Sequence, residues 1–335
     1  MERKLTEHAR NLFLFGFLFF LTILLFGFDL CVGSSGLGLR DLLALLFGKS
    51  QDSASVRILI DIRLQKALVA LFGGAALTVS GLQMQTLFRN PLAGPYVLGI
   101  SSGASLGVAL AVLGAPIMNF SGIVSSVGIA GAAWIGSASI LVIIAVVSQK
   151  IKDIMVILIL GMMFSSGVSA VVQTLQYLSP EGSLKQFVIW TMGSLGEVTK
   201  SDMTIFAPAI IIGLLIGILT LKPLNLLSLG EDYARTSGVD LKRTRNILFL
   251  STTLLTGSVT AFCGPIGFIG LAMPHVARSI FSTYDQRILM PASVLVGSCS
   301  LLLCDILSKQ YLIPINAMTS LLGIPVVIWV VIKNR

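Results

Sequence analysis

Apolar runs of membrane-crossing length recur along this chain, and they constrain its fold more than any other feature. A helix needs about 20 residues to cross the hydrocarbon core. Ten such segments are expected, near 11–31, 63–86, 95–114, 122–147, 153–177, 204–221, 246–263, 267–282, 289–308 and 314–332. With 55% of residues hydrophobic and 11% charged, a soluble domain is excluded. Alternating ten-residue strands do not occur, which excludes a β-barrel. The expected fold is all-α: one polytopic membrane domain over residues 1–335 with about ten transmembrane helices. The first segment follows a charged Met1–Arg10 and lacks a small-x-small cleavage site, so it is read as a span.

Charge sets the expected orientation. With the N-terminus inside, 15 of the 23 Lys and Arg fall on the cytoplasmic side, including Arg89, Lys150, Lys152, Lys222, Arg278 and Arg335. The other 8 fall outside: Arg40, Lys49, Arg57, Arg63, Lys66, Lys185, Lys200 and Lys309. That bias places both termini in the cytoplasm. Anionic lipid and a cytoplasmic partner account for the net charge of +8 without nucleic acid.

Residues 222–245, KPLNLLSLGEDYARTSGVDLKRTR, form a charged island among the spans. Two short helical patterns separated by Gly238 fit it, and it has the character of a docking element for another protein. Three other stretches interrupt the spans. In RNPLAGPYVLGISSGASLG (89–107), Pro91 and Pro95 stop one helix before the next begins. Gly99, Gly103 and Gly107 then recur every fourth residue with Ser101, Ser102 and Ser105 between them, a pattern for close helix packing or for lining a path. Asn90 beside the prolines is either a gate residue or a helix cap. SLKQFVIWTMGSLG (183–196) is too short to span and fits a re-entrant or interfacial helix, with Trp190 as an interfacial anchor or a path residue. In GPIGFIGLAMPHVAR (264–278), Gly264, Gly267 and Gly270 are expected on one helical face, and His275 is read as structural rather than as a proton relay.

Several chemistries are missing. Phe47–Ser50 reads FGKS, but Leu43 stands where a P-loop needs its first glycine. No catalytic constellation and no paired intramembrane carboxylates are seen, so an intramembrane enzyme or an ion-coupled secondary carrier for a small metabolite is disfavoured. Asp305 is read as half of a helical pair with Lys309. The cysteines, Cys31, Cys263, Cys299 and Cys304, lack CxxC spacing, and the only histidines are His8 and His275, so no bound metal is expected.

The chain resembles the permease subunits of ATP-binding-cassette importers for ferric siderophores, haem and cobalamin, and in particular the cobalamin permease. The resemblance rests on Gly74, Gly81 and Gln85, RNPLA at 89–93, LGISSGASLG at 98–107, LSLGEDYARTSGVDLKRTR at 227–245, GPIGFIGLAMPHVAR at 264–278 and LLGIPVVIWVV at 321–331. It implies a type II importer permease of ten spans, not itself an enzyme, paired with a second copy or a paralogue. Two cytoplasmic ATPase subunits would hold ATP and Mg, an extracytoplasmic binding protein would deliver the substrate, and the home would be a bacterial inner membrane. Gly230, Glu231, Ala234, Arg235 and Gly238 would belong to coupling helices seated in the ATPase. Asn90, Pro91 and Leu92, with Gly99, Ser102 and Gly103, would form the gate and translocation path. Arg63, Lys66 and Lys309 would meet acidic residues of the binding protein; they also suit snorkelling anchors at helix ends. Lys stands at 66 and 309 where Arg is usual in the family, without Arg's bidentate fork.

Overall fold

The computed structural model describes residues 2–33, 58–114, 121–151 and 153–333. Arg40, Lys49, Arg57, Lys152, Arg335 and the 47–50 stretch lie outside the described residues. Among those described, the ordered elements are helices and there is no strand.

The first helix, α1 (Glu2–Cys31), shows why most of the surface is apolar. Phe13, Phe17, Phe20, Leu24 and Phe28 point outward, as lipid requires, while Leu18, Thr22, Asp29 and Leu30 face inward. That inner stripe packs on α12 (Gln286–Tyr311). The helix α2 (Gln65–Leu87), entered through a π-helical segment Ile58–Leu64, is the centre of the bundle. Every residue from Gly73 to Leu87 is buried. Around α2 stand α12, α10 (Leu241–Cys263), α11 (Ile269–Phe281) and α7 (Lys200–Leu219).

Contact this close depends on small residues. A Cβ on Gly74 would strike the carbonyl of Gly297 in α12, and one on Gly297 the carbonyl of Gly74. Gly81 meets the carbonyl of Gly270 in α11 in the same way. At the centre of the core, buried polar groups pair across helices. Gln83 Nε2 donates to Ser251 Oγ at 3.0 Å, and Gln83 Oε1 accepts from Thr252 Oγ1 at 3.1 Å.

A second layer consists of α3 (Ile100–Ala109, extended by a π-helical Leu110–Gly114), α4 (Ser121–Lys150, kinked at Gly128) and α5 (Ile154–Leu178). Gly103 of α3 and Gly136 of α4 lie backbone to backbone, and Gly107 rests on Ala132. The short α6 (Glu181–Met192) follows, as expected for 183–196, and stops at Gly193 with φ 73°. Then come α8 (Leu221–Ser228), α9 (Glu231–Thr236) and finally α13 (Ile315–Lys333).

Among the described residues, seven helices, α1, α2, α4, α5, α7, α10 and α12, are long and apolar enough to cross a membrane by themselves. The remaining three expected spans correspond to shorter helices. The segments at Ile100–Gly114 and Ile315–Val330 are apolar, and α11 has 13 residues. A helix of that length rises about 20 Å, short of the roughly 30 Å hydrocarbon core. The expectation that Gly264, Gly267 and Gly270 share a helical face is corrected here. Gly264 (φ 76°) and Phe268 (φ 65°) are left-handed, so 264–268 is a break and only Gly270 is helical. Tyr96 holds the break: its hydroxyl donates to Ile266 O at 2.7 Å and accepts from Ile266 N at 3.2 Å.

Candidate functional site

At one end of the bundle, α8 and α9 form a rigid charged unit. Leu224 and Leu227 anchor α8 in the core. Asn225 ties it to the start of α12, donating through Nδ2 to Asp285 Oδ1 at 2.7 Å and accepting from Gln286 N at 2.8 Å. Ala234 is the buried foot of α9, and Glu231 pairs with the buried Arg245 of α10 at 2.7 Å. The division of residues 222–245 differs from expectation. Gly230 (φ 128°) separates the two short helices, while Gly238 (φ 85°) separates α9 from α10. Both glycines have positive φ, so both read as breaks, and the chain pattern does not rank them. Of the expected coupling residues, Glu231 and Ala234 are turned into the bundle and Arg235 and Gly238 are exposed. Beside Arg235, Asp232 of the charged island and Tyr233 are exposed too; sequence reasoning did not single out Tyr233, because an aromatic on a six-residue helix carries no sign of its exposure.

Next to this unit, α2 ends at the 89–92 turn. Arg89 N donates to Thr86 O at 3.3 Å and Asn90 N to Gln85 O at 3.2 Å, closing the helix in a Schellman motif with Arg89 left-handed at φ 48°. Asn90 Oδ1 accepts from Leu92 N at 2.9 Å, so its side chain caps its own turn. His275 of α11 reaches Pro91 O at 2.7 Å, a structural bond joining the turn to α11. Leu92 is exposed.

Farther along, the expected path residues divide. Gly99 (φ 79°) permits the turn into α3 and Gly103 packs on α4, so these two serve geometry. Ser102 lines a cavity of about 640 Å³ with Ser101, Ser165, Asn316 and Ser320, and a second of about 280 Å³ with Ser105, Gln173 and Gln176. No charged side chain lines either cavity. The result is a hydroxyl- and amide-lined groove on an otherwise apolar face. It offers hydrogen bonds to a bulky ligand and holds no group that would do covalent chemistry.

At the opposite end, Arg63, Lys66 and Lys309 surround a cavity of about 590 Å³. All three are engaged inside the bundle. Arg63, 5% exposed, donates to Leu30 O at 2.8 Å and Cys31 O at 3.1 Å at the end of α1. Lys309 bridges Asp29 at 2.9 Å and Asp305 at 2.8 Å, and Lys66 reaches Asp305 at 3.1 Å. The expected Asp305–Lys309 pair is present, but the expectation of no paired carboxylates is corrected. Asp29 and Asp305, distant in sequence, share one lysine where α1 crosses α12. Two carboxylates and two lysines leave this cluster formally neutral.

Comparison with known proteins places the chain among transporters. The model of the FecCD transport family matches residues 21–333. The chain is 36% identical over 328 residues to the hemin transport system permease protein HmuU of Yersinia pestis, covering 96% of this chain and 95% of that protein. It is 35% identical over 278 residues to the vitamin B12 import system permease protein BtuC of Citrobacter koseri, covering 82% of each. Among solved structures, a metal-chelate type ABC transporter in an inward-facing conformation superposes with a TM-score of 0.83 at 29% identity, covering 96% of this chain and 99% of that one.

Proposed function

We infer that this chain, which belongs to the FecCD transport family, is the membrane permease subunit of an ATP-binding-cassette importer for an iron–siderophore, haem or cobalamin-type substrate. It is a transport subunit rather than an enzyme, a multi-pass protein of the bacterial inner membrane that works with ATPase and substrate-binding partners. In finer detail, the working unit pairs this chain with a second copy or a paralogue over two ATPase subunits that hold ATP and Mg. Both termini face the cytoplasm.

The observation that carries this reading is the anchoring of α8 and α9. Asn225 fixes α8 to α12, and the Glu231–Arg245 pair fixes α9 to α10. A push on the exposed Asp232, Tyr233 and Arg235 therefore moves two membrane helices instead of flexing a loop. Gly230, Glu231, Ala234, Arg235 and Gly238 shape that lever. Gly230 also lies against the Arg89 guanidinium, which leads to the Asn90–Pro91–Leu92 gate and on to the groove at Ser102, with Gly99 and Gly103 shaping its wall. The binding protein docks over Arg63, Lys66 and Lys309; Lys66, 23% exposed at its side chain, is the more accessible of the two lysines.

The test is uptake into proteoliposomes holding the full complex, with labelled cobalamin, haem and a ferric siderophore offered in turn. Tyr233→Ala with Arg235→Glu is expected to abolish ATP-dependent uptake while the chain still inserts and folds; undiminished uptake overturns the coupling assignment. Uptake that needs no ATPase and collapses with the ion gradient would instead establish an ion-coupled carrier.

A further inference from the structure

The coupling end holds a cavity that import itself does not call for. About 580 Å³ in volume, it lies between the ends of α2, α11, α12 and α13, beside Ser228 of α8. Arg89, His275 and Arg278 line it together with several hydroxyls, and no acidic side chain does. Neither arginine has a carboxylate partner among the described residues. Arg278 is held by Gln85, donating through Nη1 to Oε1 at 3.2 Å, and lies 6.0 Å from the centroid of the Tyr284 ring. Its Nε is buried without a hydrogen-bond partner. Leaving that donor without an acceptor is costly, while the terminal nitrogens of the half-buried side chain can face the cavity.

The backbone points the same way. Arg89 occupies the left-handed position of the Schellman motif, where glycine is usual. An arginine there strains the backbone, yet it places a second guanidinium at the same cavity. His275 is committed to Pro91 O, which leaves the two arginines as the cations available to a ligand.

We propose that this cavity is a binding site for a phosphate-type anion, held between Arg89 and Arg278, and that its natural occupant is the headgroup of an anionic phospholipid. Paired guanidiniums match phosphate oxygens bidentately, and basic pockets between helix ends on the cytoplasmic side suit anionic headgroups. The surroundings favour a lipid over a protein side chain. Trp329 of α13 forms part of the wall, and Ile280 of α11 with Ile328 and Ile332 of α13, next to or one turn from wall residues in sequence, are exposed apolar side chains that an acyl chain could cover. The site adjoins both the 89–92 turn and α8, so its occupant would brace the gate and the coupling unit together.

Native mass spectrometry of the full chain, delipidated in mild detergent, tests the proposal. Phosphatidylglycerol, phosphatidylcholine and inorganic phosphate are titrated separately. Phosphatidylglycerol is expected to bind at least about tenfold more tightly than phosphatidylcholine. Arg89→Gln and Arg278→Gln should each weaken it roughly tenfold or more, and Arg278→Lys by less. Ser279→Glu, which sets a carboxylate on an exposed position of the wall, should abolish binding without disturbing the core. Inorganic phosphate binding as tightly and lost in the same variants keeps the anion site and replaces the lipid as its occupant. Retention of both ligands in Arg89→Gln and Ser279→Glu, or no binding by the parent chain, overturns the proposal. Loss of ATPase docking in those variants without any bound anion in the parent would assign the arginines to an acidic residue of the ATPase instead.

Discussion

Replacing Lys309 by methionine isolates a buried ion-pair cluster at the end of the bundle opposite α8 and α9. The lysine side chain is 10% exposed and bridges two carboxylates. Once it is gone, Asp305 keeps Lys66 at 3.1 Å, while Asp29, wholly buried, loses its cation. An uncompensated charge of this kind costs about 3–5 kcal/mol. The methylene stem is preserved in methionine, so little packing is lost and the penalty is mainly electrostatic. If that is the cause, Asp29→Asn combined with Lys309→Met should recover at least about 2 kcal/mol of the loss, since both members of the pair are then neutral. Lys200→Met provides the reference, because its partner Asp61 and the lysine are 44% and 63% exposed, and an exposed pair contributes under about 1 kcal/mol. SDS-induced unfolding in mixed micelles, followed by circular dichroism, measures all four proteins. Lys309→Met within about 1 kcal/mol of the parent, or a double variant no more stable than the single one, would refute the reasoning.

Two further expectations rest on backbone geometry. Gly81→Ala places a methyl group on the Gly270 carbonyl and should cost about 3 kcal/mol or more, whereas Gly16→Ala, with nothing within 4 Å, should leave the melting temperature in detergent unchanged or slightly raised. Gly230→Ala forces a side chain onto φ 128° and should strain the α8–α9 junction by about 1–3 kcal/mol; ATP-dependent uptake should fall while folded protein accumulates normally, and full uptake would show that the junction need not be rigid.

The bundle itself was legible because lipid imposes a simple pattern: long apolar helices, small residues where they touch, and charge at the ends. The charged unit at 222–245, the close approach at Gly103 and the structural bond of His275 could all be read from the chain. What could not be read depended on left-handed residues and on distant pairs. Phe268 and Arg89 adopt positive φ without being glycine, and neither residue type announces it. For that reason the break at 264–268 looked like continuous helix, and Arg89 looked like one more positive-inside charge. Asp29 and Lys309 are separated by 280 positions, so their pairing appears only when α1 crosses α12. Arg63, Lys66 and Lys309 were legible as a basic group, but their inward engagement was not.

These differences change where charge can act between proteins. At the end opposite α8 and α9, Lys66 and Lys309 are balanced by Asp29 and Asp305 within the chain. At the α8–α9 end Arg235 is exposed and has no ion-pair partner among the described residues. Long-range attraction scales with unbalanced charge and is screened beyond about 10 Å at 0.1 M salt. Raising the ionic strength should therefore weaken association at the α8–α9 face more steeply than docking at the Lys66–Lys309 face. Surface plasmon resonance of each partner on the immobilised permease reads both slopes. A steeper slope at the Lys66–Lys309 face would mean that the Asp29–Lys309–Asp305–Lys66 cluster opens when the binding protein arrives, freeing its lysines. The neutral cluster would then be a latch rather than a fixed brace.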